Sequence, residues 1–200
     1  MKPLLPLSGN ATPRPVLRYA EFGVPPLRIC AVVRPWKGGR ELRFYTQSEC
    51  EAWLAALERR KPETVPNIRS ERIKYPDRPH RVFAIAHWIA TSLTHRLPTL
   101  LWITEWGIWS SSENNHLYYR LRQTYADNRL LHEAPGHLFL AHEAEDLASF
   151  LEIAMLNGWS GYVLTQAGHV NAFFSHDEYI NFFAESDRSL EEVRKALASD

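Results

Sequence analysis

Apolar positions recur with two different periods along the chain, and the switches between them predict the elements. Val82, Ala86, Ile89, Leu93 and Leu97 follow one another at three- and four-residue steps, the spacing of one helix face. A helix is therefore expected from Arg81 to Leu97, stopped by Pro98. His80, His87 and His95 fall on its opposite side, within a fan of roughly 80°. Thr99–Trp106 is a continuous apolar run with β-branched members and reads as a buried strand. Ser110 and Glu113 form a capping-box pair, opening a helix whose buried stripe is Leu117, Leu121 and Tyr125. A short strand is expected at His137–Ala141. The helix expected at Glu143–Asn157 has Glu143, Glu145 and Asp146 in its first turn, where the dipole favours acids, and Gly158 just beyond its end. Tyr162–Thr165 and Val170–Phe174 are joined by Gln166-Ala167-Gly168, a hairpin signal. Ser175 with Glu178 predicts a third capping box and a short helix containing Tyr179, Ile180 and Phe183. Ser189–Ala198 closes the chain as an exposed helix.

The first part of the chain is less regular. Residues 1–26 are rich in proline and lack a period, so they read as an irregular arm. Leu27–Val33 and Glu41–Thr46 flank a Lys37-Gly38-Gly39 turn and predict a hairpin. Ser48 and Glu51 cap a helix through Trp53 and Leu57. These elements make a β-β-α unit over residues 27–60. Residues 61–78 contain Pro62, Pro66 and Pro76 and are expected to run as an extended basic connector.

From residue 99 the order β-α-β-α-β-β-α implies right-handed crossovers between parallel strands. The expected fold class is therefore α/β. A mixed, mainly parallel sheet with one antiparallel hairpin and packed helices would occupy residues 79–200, beside the N-terminal β-β-α unit.

Composition changes this picture little. Of 200 residues, 45% are hydrophobic and 23% charged, values that exclude a disordered or fibrous chain. No run approaches the ~20 apolar residues of a membrane span, and no membrane partner is expected. The apolar run Met1–Leu7 is broken by prolines and shorter than a signal h-region, so no signal sequence is expected. Two cysteines exclude a disulfide framework and suggest reduced thiols and a cytoplasmic location.

Charge changes it more. The formal net charge is zero, yet residues 1–126 carry 19 Lys+Arg against 10 Asp+Glu, while residues 127–200 carry 4 against 13. The basic excess peaks between Arg59 and Arg81. Such asymmetry points to a partner, or to the basic half packing beside the acidic half.

Candidate chemistry is sparse. His132-Glu133-Ala134-Pro135-Gly136-His137 has its histidines five apart and interrupted by Pro-Gly, so it is not the zinc-helix motif, which needs four. Ser175-His176-Asp177 names the residue types of a hydrolase triad, but adjacent side chains rarely face one another. No glycine-rich phosphate loop is present. No metal or cofactor is expected. Parallel strands would gather Glu105, His142 and His169 at one sheet edge, a candidate acid–base or metal-ligand group. Trp36 at a hairpin tip, with Trp106 and Trp109, is a candidate contact surface, since exposed Trp and Arg anchor interfaces. Period 2 places Trp102 and Trp106 on one strand face. Arg59, Arg60, Arg69 and Arg72 are the basic contact candidates.

The expected function is a non-enzymatic protein–protein interaction protein, an adaptor, assembly subunit or immunity-like inhibitor that binds a partner or itself. A small hydrolase or transferase is the alternative. Nucleic-acid binding through the basic half is a further one, less favoured because no aromatics interleave with the arginines in the sequence.

Overall fold

The computed structural model describes residues 44–95, 97–106, 115–166 and 170–198, all within the unit spanning Ala31–Asp200. Seven strands form one sheet: β1 (Phe44–Tyr45), β2 (Arg69–Lys74), β3 (Thr99–Glu105), β4 (Gly136–Phe139), β5 (Ser160–Thr165), β6 (Val170–Ser175) and β7 (Tyr179–Ala184). Their spatial order is β1-β4-β3-β5-β6-β7-β2. Every pairing is antiparallel. This overturns the expected mainly parallel sheet. The helix α4 (Ala144–Leu156) does link two strands of like direction, β4 and β5, but the crossover skips one place and β3 fills the gap. Alternation of strand and helix fixes neither direction nor adjacency here, since β3 and β4, linked through the helix Asn115–Thr124, are antiparallel neighbours.

The other helices are α1 (Gln47–Ala56), α2 (Pro79–Trp88), α3 (Asn115–Thr124) and α5 (Asp187–Ala198). The apolar stripe Val82, Ala86, Ile89 and Leu93 is buried as its period requires, although Ile89–Leu93 winds as a π-helix after α2. The capping box of α1 lies two residues earlier than expected. Thr46 Oγ1 accepts from the Glu49 N–H, and the Thr46 N–H donates to Glu49.

Two other expectations fail for local reasons, and a third is refined. Residues 179–184 are a strand, not a helix. Ser175 and Glu178 sit in a hairpin turn in which Ser175 Oγ accepts from the Asp177 N–H and Glu178 takes φ 61°. In α3 the buried positions are Tyr118 and Arg122, one step round from the expected stripe, and Leu117 is exposed. The basic connector contains an edge strand, β2, laid along β7 with Arg72 opposite Asn181. The expected hairpin at 27–46 lies outside the described residues apart from β1, as do the arm and the Ser110–Glu113 cap.

Strand side chains alternate between two faces. The inner face carries Leu101, Ile103, Phe139, Val163, Phe174, Ile180 and Phe182 in the main core, with Leu147 and Leu151 of α4 and Leu190 and Val193 of α5. Strands pack closely at Gly161, where an added Cβ would lie 2.6 Å from the Trp102 carbonyl oxygen and 2.8 Å from the Phe174 ring. The outer face carries a smaller core, where Cys50, Trp53 and Leu54 of α1 meet Leu100, Trp102, Leu138, Tyr162 and Leu164.

Candidate functional site

Register builds one continuous row across the outer face. Trp102 of β3 lies opposite Tyr162 of β5, Tyr162 opposite Phe173 of β6, Phe173 opposite Asn181 of β7, and Asn181 opposite Arg72 of β2. Ring centroids are 6.0 Å apart for Trp102–Tyr162 and 4.9 Å for Tyr162–Phe173. Tyr179 adds a diagonal neighbour 6.4 Å from Phe173. Cross-strand aromatic pairs of this kind stabilise a sheet, so part of the row's work is structural.

Cations bracket the row. Lys61 Nζ stands 4.7 Å from the Trp102 ring centre and 5.7 Å from that of Tyr162. The Arg72 guanidinium lies 4.1 Å from the Tyr179 ring centre, and its Nε donates to Asn181 Oδ1 at 2.8 Å. Cation–ring attraction of about 0.5–1 kcal/mol at exposed sites holds each in place. The Tyr162 hydroxyl donates to Glu63. Burial, then this carboxylate, pushes the phenol well above its ordinary pKa, so it remains a neutral donor.

Accessibility rises along the row. Trp102 and Tyr162 are buried, Phe173, Tyr179 and Asn181 are half-buried, and Arg72 is exposed. The approachable part is therefore β6, β7 and β2.

A second cluster lies beside it at the hairpin turn. His176 Nδ1 is 2.9 Å from Ser160 Oγ and 3.0 Å from Glu105 Oε2, and its Nε2 is 3.5 Å from Asp177 Oδ1. The His176 N–H also donates to Ser160 Oγ. A hydrolase relay needs serine and carboxylate on opposite ring nitrogens. Here Ser160 and Glu105 share Nδ1, Asp177 stands at a longer 3.5 Å from Nε2, and Ser160 is buried. The cluster fastens the β6–β7 turn to the end of β3.

The expected acid–base group is not assembled. Glu105 ends β3, whereas His142 follows β4, whose Phe139 lies opposite Thr99 at the start of β3. The two residues are thus at opposite ends of that strand. The antiparallel sheet is the cause, since the acid–base group assumed parallel exits. His142 is an exposed neighbour of Glu143, which instead accepts from the Leu140 N–H at 2.7 Å. His176, at the β6–β7 turn, is the residue that meets Glu105. His169, Trp36 and Trp109 lie outside the described residues.

The remaining candidates separate. A β-bulge between Ile103 and Glu105 breaks the two-residue period. Trp102 therefore joins the outer core while Trp106 packs against the inner one. Arg59 Nη1 donates to the Thr165 carbonyl at 2.8 Å, and burial lowers its pKa, so it closes the end of β5. Arg60 lines a cleft of about 260 Å³ with Arg59, Asn171, Phe183 and Glu185, smaller than the ~300–1,000 Å³ of most small-molecule sites. Arg69 is engaged by Asp187 at 2.6 Å. Only Arg72 belongs to the row.

Sequence reasoning missed Lys61, Tyr162, Phe173, Tyr179, Asn181 and His176. The alternation Tyr179-Ile180-Asn181-Phe182-Phe183 held the signal for β7, with Ile180 and Phe182 inward.

No family model, curated protein or solved structure matches this chain. Among the described residues, no helix is long and apolar enough to cross a membrane, and no group of three or more His, Cys, Asp or Glu is placed to hold a metal ion.

Proposed function

We propose that this is a non-enzymatic interaction protein that engages a partner protein across the outer surface of β6, β7 and β2. The observation that carries the reading is the in-register row, which ends in half-buried Phe173, Tyr179 and Asn181 beside exposed Arg72. Aromatic residues and arginine are the types enriched at protein interfaces, and a ring already half-buried loses little freedom on binding. Mixed charge favours a protein over a nucleic acid. Glu63 accepts from the Tyr162 hydroxyl, whose ring Lys61 overlies, and Glu105 and Asp177 flank His176 at the adjoining turn, so carboxylates are interspersed with the cations beside the aromatics. A reducing compartment, the cytoplasm, accords with the free Cys50 thiol.

The test uses the full chain, purified with its bound proteins from the native host, beside Phe173→Ala/Tyr179→Ala and Arg72→Glu variants. A specific co-purifying protein should fall about tenfold or more with each variant, the loss expected for a central contact, while circular dichroism stays unchanged. Equal recovery from folded variants overturns the proposal.

A further inference from the structure

β2 is an end strand of the sheet, and among the described residues no strand pairs with its other side. Four of its six residues are exposed and two half-buried, and it contains neither proline nor a bulge. An edge of this kind is a template for strand addition unless its charges repel a partner.

The two sides of β2 treat their charges differently. On the inner side Arg69 pairs with Asp187 and Glu71 pairs with Arg194 at 2.7 Å, both from α5. These charges are spent within the chain. On the outer side Arg72 has only the Asn181 amide and the Tyr179 ring, with no carboxylate partner among the described residues. Lys74 has a loose contact with exposed Asp77 at 3.8 Å. An approaching strand thus meets neutralised charge on one face and, at alternate positions on the other, one cation without a carboxylate partner and one only loosely paired.

We propose that β2 accepts an extended segment of a partner protein as an eighth strand, with acidic side chains at alternate positions facing Arg72 and Lys74. The inference rests on the interaction reading and names the partner's chemistry. The incoming strand prolongs the row Trp102–Tyr162–Phe173–Asn181–Arg72 by one position, and a carboxylate there completes the cation that row ends on. Main-chain hydrogen bonds to the edge supply affinity, and the alternating acids supply selection. A second copy of β2 fits less well. Antiparallel self-pairing centred on Arg72 or Glu71 sets like charges opposite each other.

The probe is a synthetic peptide alternating glutamate with valine, titrated into the full chain. Three controls accompany it: a lysine–valine peptide, a version with alternate backbone nitrogens methylated, and an Arg72→Glu/Lys74→Glu variant. Amide exchange within residues 69–74 should slow about tenfold or more when the acidic peptide binds. The charge-reversed variant should lose the acidic peptide by at least about tenfold and gain the lysine peptide. Unchanged exchange, equal binding of the methylated peptide, or equal binding of the two charge types each overturns strand addition. The broader reading is judged separately. If the Phe173 and Tyr179 substitutions still release the native partner while residues 69–74 stay unprotected in the complex, strand addition falls and the interaction surface stands.

Discussion

The two faces of the sheet are made from the same strands, sometimes from adjacent residues, yet they do different work. Phe174 points inward and is fully buried among aliphatic and aromatic side chains. Phe173, its neighbour, points outward and is half-buried against Tyr162. The inner face is covered by α2, α4 and α5 and is apolar over its central strands, with charge at the β2 edge. The outer face is apolar only where α1 covers it, and beyond β5 it turns aromatic, amidic and cationic. Position in the pleat, not residue type, decides which phenylalanine belongs to the core.

Several substitutions would break or sharpen this contrast. Phe174→Ala should cost about 3–5 kcal/mol, the range for emptying a closed aromatic site, whereas Phe173→Ala should cost about 1 kcal/mol by the area it buries. Urea unfolding of the two variants measures both, and equal costs would remove the distinction between the faces. Gly161→Ala should destabilise by about 1–3 kcal/mol, because the new methyl meets main chain and a ring on the inner side. Thermal unfolding would show it.

Alkali offers a test that needs no mutation. Burial raises the Cys50 thiol above its ordinary 9.0 and the Tyr75, Tyr118 and Tyr162 phenols above their ordinary 10.0. For a group whose pKa is raised by folding, stability is whole below the unfolded value and is lost as pH climbs toward the folded one. Stability should therefore hold to about pH 9 and then decline, first through Cys50 and then through the phenols, as read by urea midpoints across a pH series. A curve flat to pH 11 would contradict these burials. The smallest effect is expected from Arg69→Ala. Its ion pair with Asp187 joins two largely exposed groups and should be worth about 0.2–1 kcal/mol.

Legibility in the sequence followed the same division. The α2 stripe, β3, α4 and the β5–β6 hairpin were readable because each has a long apolar period or run with a clear stop. β2 was not, because a half-exposed edge strand flanked by prolines carries charges where a buried strand would carry apolar residues. β7 was misread because a serine three residues before a glutamate suits a helix start and a tight turn alike. No apolar pattern could have found Arg122. It is buried beside the Phe44 ring and 3.5 Å from Asp127, which Arg129 also grips. The row of the candidate site was the least legible feature. Its members come from five separate strands, and only the register of the finished sheet sets them in line.

That register also orders the events of folding. β5, β6 and β7 are consecutive and joined by short turns, so the meander they form closes small loops. β2 reaches β7 only by bridging 109 residues between Arg72 and Asn181, and closing so long a loop costs entropy before any contact repays it. While β2 is still absent, the margin a nascent chain presents to its neighbours is β7, whose Ile180 and Phe182 are then uncapped. Crowded refolding would therefore go astray at β7, and the late arrival of a charged strand serves as the molecule's own protection against sticking to its siblings.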